Sequence, residues 1–180
     1  MKHKYDVFNK NPIRYREESN MIPKYIQPYF VTISNKNDGY NNIVNGKLVC
    51  CGNNNFEILV SGEIKRSSLF RTYVCSNNRI MLEARCKKCG KIIHLFDNDI
   101  DGYDRCISIG NKKPYTKPYS CYKCSSNDYS INIKYEYPDI RELKDLKIND
   151  IYNAFTWIWI SLECNNCGKK YTNFLDYETS

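Results

Sequence analysis

The stretch Cys164-Asn165-Asn166-Cys167-Gly168-Lys169 has a counterpart in mid-chain, Cys86-Lys87-Lys88-Cys89-Gly90-Lys91. Each follows a strand-like run, FTWIWISLE at 155–163 and MLEAR at 81–85. Two thiolates three positions apart can point at one metal ion across a tight turn. The Gly after the second Cys lets the backbone fold back so that amides approach the sulfurs. Cys121 and Cys124 form a third pair with the same spacing, upstream of the last one.

The chain has 180 residues, of which ten are Cys and 16 are Tyr, and 42% are apolar. It can build a core, but not a generous one, so a metal staple is plausible. The N-terminal MKHKYDVFNK carries no apolar leader core, and no run of eighteen apolar residues occurs. The expectation is a cytoplasmic chain without a membrane span. Thiols stay reduced there, and CxxC pairs then mean metal or redox chemistry rather than disulfides. Formal net charge is +7. Two zinc ions would bring four positive charges and their eight thiolates eight negative ones, so the basic balance is softer than it looks.

An internal duplication organises the chain. Phe56 lies five positions after Cys51 and opens FEILV; Tyr129 lies five after Cys124 and opens YSINIKYEY. Each strand leads through an insert to a second strand, IMLEA or TWIWISLE, and then to CxxCG. KIIHLFD at 91–97 and KKYTNFLD at 169–176 follow. The order knuckle, strand, strand, knuckle resembles the zinc ribbon, over roughly residues 48–97 and 121–176. The resemblance implies two zinc ions, each on two knuckles at the end of a β-hairpin. It says nothing of function, because ribbons serve many roles. The expected fold is mainly β, a small α+β protein of two zinc-ribbon-like units packed together, with a short inserted helix and an irregular N-terminal arm. The expected division is 1–46 (arm with a possible strand at 29–33), 47–110 (first unit and connecting loop) and 111–180 (second unit).

The second unit has a complete ligand set, Cys121, Cys124, Cys164 and Cys167. In the first, Leu48 stands where a Cys is needed, and the set reads Cys50, Cys51, Cys86 and Cys89, with Cys75 or His94 as alternatives to Cys50. Cys106 has no partner spacing. Asp97, Asp99, Asp101 and Gly102 match the start of a calcium loop, but Ser108 replaces the bidentate Glu, so an acidic Asp-Gly turn is expected instead.

Residues 111–124 interleave Lys112, Lys113 and Lys117 with Tyr115 and Tyr119, without an acid. Lys can pair phosphates and Tyr can stack on bases, which makes this loop the best local case for nucleic acid. The alternative is a solvated loop outside the strands. PDIRELKDLKIND at 138–150 suggests a short helix. AFTWIWISL at 154–162 is apolar on both faces, which suggests a central strand with Trp157 and Trp159 in the core. No HExxH, phosphate loop or nucleophile motif appears, and a zinc closed by four thiolates leaves no position for water. The expected function is a non-catalytic zinc-binding module that engages a macromolecule. A protein partner, of inhibitor, immunity or regulatory type, is slightly preferred to nucleic acid; no small-molecule substrate is inferred. The CxxCG knuckles also resemble rubredoxin, which would imply iron and electron transfer.

Overall fold

A computed structural model describes residues 21–37, 39–67, 71–76, 79–102, 113–145 and 150–179. The helix candidate at 14–20, Cys106, Ser108 and Lys112 lie outside them. Eleven strands make up most of the described chain, and every pairing between them is antiparallel.

β9 (Tyr129–Pro138) is the central strand. Its sequence alternates Tyr129, Ile131, Ile133, Tyr135 and Tyr137, all buried, with Ser130, Asn132, Lys134 and Glu136, half-buried on the other face. Period-two patterning of this kind dictates a strand with one core face. One edge of β9 pairs with β10 (Trp157–Cys164), which in turn pairs with β11 (Lys170–Glu178). The other edge pairs with β2 (Asn41–Leu48), and β2 with β1 (Phe30–Asn37). A tight hairpin turn joins these two long polar strands. Asn37 closes it by accepting from the Gly39 amide at 2.7 Å, and Gly39 has φ +92. Gly46 is required where β1 and β2 pack: a Cβ there would collide with the Phe30 ring and lie 2.6 Å from the Val31 carbonyl oxygen.

β3 (Phe56–Ser61) pairs with β6 (Met81–Cys86), and β6 with β7 (Ile92–Asp97). β3 joins the central strand through one pair, Phe56 with Tyr129. All of these strands thus belong to one curled sheet. Between β3 and β6 the chain inserts a hairpin, β4 (Glu63–Arg66) and β5 (Thr72–Cys75). Between β9 and β10 it inserts the helix Ile140–Asp145 and a 3-10 turn, Ile151–Asn153. The helix starts where Asp139 accepts the Arg141 amide at 2.7 Å. The connection after β7 is the acidic turn. Asp97 caps the one-turn helix Asn98–Asp101 and binds Arg79, while Asp101 holds His94 at 2.9 Å. These carboxylates bond cations and backbone of the chain itself, as the Asp-Gly turn implied.

Trp157 and Trp159 are not in the core. Register pairs Trp157 with Glu136 and Trp159 with Lys134, which puts both indoles on the polar face of the sheet. They are half-buried there, stacked at 5.5 Å with 10° between planes, with Lys134 Nζ 3.4 Å from the Trp159 ring centre. The core face of β10 is Ile158, Ile160 and Leu162. The strand is central, as expected, but only its aliphatic face is covered.

Beneath the sheet, Tyr119, Tyr129, Tyr171 and Phe174 form an aromatic cluster, with Tyr119 stacked on Tyr129 at 5.6 Å. The Tyr129 hydroxyl is buried without a hydrogen-bond partner among the described residues. A buried hydroxyl of this kind costs about 1–3 kcal/mol of desolvation. Tyr129→Phe is therefore expected to leave stability unchanged or raise it by about 1 kcal/mol in urea denaturation. Destabilisation of similar size would contradict this reading.

Candidate metal centres

Two groups of four thiols form at the ends of paired strands. β6 ends in Cys86, the turn at 87–89 follows, and Cys89 closes it. The Cys86 carbonyl accepts from the Gly90 amide at 2.8 Å, and the Cys86 amide donates to the Lys91 carbonyl at 2.9 Å. β10 ends in Cys164 with the same bonds: Gly168 amide to Cys164 carbonyl at 2.9 Å, Cys164 amide to Lys169 carbonyl at 2.9 Å. Gly90 has φ +74 and Gly168 φ +67, the left-handed conformation that lets the turn close under the sulfurs.

The facing turns differ. Cys121 donates its amide to Ser126 and accepts from Ser125, both at 2.7 Å, which brings Cys121 and Cys124 round to the same side. In the other half Cys50 and Cys51 are neighbours, and on an extended strand they would point apart. Cys51 has φ 47 and Gly52 φ 72, so the backbone reverses at once and both thiols face Cys86 and Cys89. Cys50 and Asn53 exchange amide bonds at 2.8 Å across this reversal.

The resulting contacts are closely matched. Cys50 Sγ lies 3.6 Å from Cys89 Sγ, and Cys51 Sγ 3.7 Å from Cys86 Sγ. Cys121 Sγ lies 3.6 Å from Cys167 Sγ, and Cys124 Sγ 3.5 Å from Cys164 Sγ. Within each group all four sulfurs lie within 4.8 Å of one another, so each group could hold a metal ion. Cys75 and His94 stand outside both groups. Cys75 faces Glu63 across the β4–β5 hairpin, and His94 is engaged by Asp101 and by the edge of the Tyr25 ring.

Hydrogen bonding and burial set the thiols of each group apart. Burial works against a thiolate at Cys86, yet amides of Cys89 and Lys88 donate to it and lower it to about 6. The Asn166 side chain and the Ser126 amide lower Cys124 to about 6. Burial and the proton shared with Cys89 and Cys86 push Cys50 up to about 12. At Cys167 the Lys169 amide works downward, but burial and the three neighbouring thiols carry it up to about 12. A divalent cation held by all four sulfurs requires each of them as thiolate, so its binding releases the protons the thiols still carry.

No protein-family model, curated protein or solved structure matches this chain.

Tyr171 belongs to the second centre, and sequence reasoning missed it. Its hydroxyl donates to Cys121 Sγ at 3.0 Å. The available signal was its position, four residues after Cys167. The Lys/Tyr loop is placed differently from its sequence reading. Tyr119 is buried in the aromatic cluster and presents no free face to a base. Lys113 pairs with the buried Glu83 at 2.6 Å. Lys117 and Pro118 form a short strand, β8, on β3, so the loop is part of the sheet. Tyr115 is 80% exposed and Lys117 is exposed. Among the described residues, no helix is long and apolar enough to cross a membrane.

Proposed function

We propose that this chain is a non-catalytic zinc-binding module of the cytoplasm, built as a tandem duplication of a zinc-ribbon-like unit, whose surface engages a protein partner of inhibitor, immunity or regulatory type. The observation that carries the metal reading is the pair of four-sulfur groups, each drawn to within 4.8 Å by two turns. Cysteine-only donor sets of this kind suit zinc or iron. Four thiolates fill a tetrahedral shell and leave no position for a reacting water, which supports a structural ion rather than a catalytic one.

The duplication rests on register as well as spacing. Phe56 pairs with Cys86 as Tyr129 pairs with Cys164, and Ala84 pairs with Ile93 as Leu162 pairs with Tyr171. A protein partner is favoured over nucleic acid because the Lys/Tyr loop retains so few free groups. With two zinc ions and eight thiolates the formal charge of +7 falls to +3. Little is left to grip a phosphate backbone.

Elemental analysis of protein produced with zinc supplied is expected to return two equivalents of zinc from a colourless sample. Less than one equivalent refutes the metal reading. A red sample with iron in its place would turn the module into a rubredoxin-like electron carrier. In mobility-shift assays at low salt, where electrostatic binding is strongest, the wild-type protein is expected to shift neither DNA nor RNA. A shift that weakens steeply with salt would move the assignment to nucleic acid.

A further inference from the structure

The two centres share their sulfur geometry and differ in what surrounds it. In the first, Cys51 and Cys89 are exposed; in the second, Cys124 and Cys167 are half-buried. The second centre lies against a wall of aromatic rings. Tyr171 is buried, donates to Cys121, and packs edge-on against Tyr119, Tyr122 and Tyr129. Tyr122 is in turn overlaid by Arg66 at 4.5 Å and Lys169 at 5.5 Å. At the first centre the position of Tyr171 is taken by Ile93, which has no hydroxyl to give. Its polar neighbours are Asn53, 3.6 Å from Cys86 Sγ, and the exposed Lys88, on the Cys51 carbonyl.

An ion held by four thiolates leaves when an incoming ligand reaches it, or one of its sulfurs, before the old bonds have broken. Exposure of the sulfurs therefore governs the rate. A hydrogen bond to a thiolate holds that ligand in place and offsets its charge. We propose that the centre of Cys50, Cys51, Cys86 and Cys89 is an exchangeable metal site. It passes a soft divalent cation to and from thiol- or chelate-bearing acceptors by way of Cys51 and Cys89. The centre of Cys121, Cys124, Cys164 and Cys167 keeps its ion. This rests on both groups being metal centres, as proposed above.

The test uses the full chain carrying two zinc ions, mixed with excess 4-(2-pyridylazo)resorcinol, which colours on binding released zinc. Release is expected in two phases of one equivalent each, separated by roughly tenfold or more in rate. Cys51→Ser should lack the fast equivalent, keep the slow one and keep the far-ultraviolet circular dichroism of the wild type. Tyr171→Phe keeps the ring and removes the donor. It should speed the slow phase by roughly 10- to 100-fold and leave the fast phase alone. A single phase for both equivalents, or a fast phase that survives Cys51→Ser, overturns the proposal. Less than one equivalent of zinc before the chelator is added is a different result and refutes the metal reading instead. Alkylation of the wild-type holoprotein by iodoacetamide, mapped by mass spectrometry, needs no variant to fold. Cys51 and Cys89 should be labelled before any cysteine of the second centre, and equal labelling of Cys124 and Cys167 overturns the proposal.

Discussion

Cys164→Ser is expected to remove the cooperative unfolding transition of this protein and to leave at most one equivalent of bound zinc. Cys164 is fully buried, pairs with Tyr129 at the start of the central strand, and faces Cys124 across the second centre. Structural zinc sites supply about 10–16 kcal/mol of apparent binding free energy, which is folding free energy when no site exists in the unfolded chain. A domain's whole stability is about 5–15 kcal/mol, so losing this ion leaves little or no reserve. The chain would also bury a hydroxyl at 164 and leave Cys121, Cys124 and Cys167 without their ion where the sheet and the aromatic cluster meet. Cys51→Ser, at the rim of the first centre, is expected to cost much less and to keep a sharp transition. Thermal melts followed by circular dichroism, with metal analysis of each variant, check both statements. Equal losses in the two variants would mean that both centres bear on the fold alike.

Tyr135→Ala is expected to destabilise by about 3–5 kcal/mol, the range for removing a large aromatic from a core. Tyr135 is fully buried in the middle of β9, which pairs with β2 on one side and β10 on the other. Its ring lies 5.1 Å from Phe155, 6.1 Å from Phe30 and 6.4 Å from Tyr137. Deleting it opens a cavity between segments far apart in sequence, and β-sheet backbone on three strands cannot collapse to fill it. Asn132→Ala, on the same strand but on its outer face, should change stability by no more than about 0.5 kcal/mol. Urea denaturation of the two variants separates the faces. Similar losses from both would mean that the sheet is covered on both sides.

The strands and the cysteine turns could be read from local pattern. Spacing such as Cys-x-x-Cys-Gly is short-range, and so is the alternation of Tyr129 to Tyr137. What could not be read depends on register between distant segments. WIWISL is apolar on both faces, and nothing within it says which face turns inward. The answer lies in β9, where Lys134 and Glu136 stand opposite Trp159 and Trp157. Tyr119 gave the same difficulty. Flanked by Pro118 and Ser120 it looks like loop, and only the pairing of β8 with β3 and the stacking on Tyr129 carry it inside. The reversal at Cys50 and Cys51 was legible as a need, since neighbouring thiols must be turned to one side. The positive φ at Cys51 that meets this need lies in the folded backbone.

The stacked indoles on the polar face are the only two tryptophans in the chain. Selective tryptophan excitation therefore lights the solvent side of the sheet and nothing beneath it. Trp157 Nε1 donates to Asp176 at 2.8 Å and Lys134 overlies Trp159, so the emission is set by one carboxylate, one ammonium and water. A molecule that settles on this face will report itself as a spectral shift without any label. Events at the two sulfur centres that leave the fold intact will be nearly silent in tryptophan emission and must be followed through tyrosine, of which the aromatic cluster beside the second centre holds several.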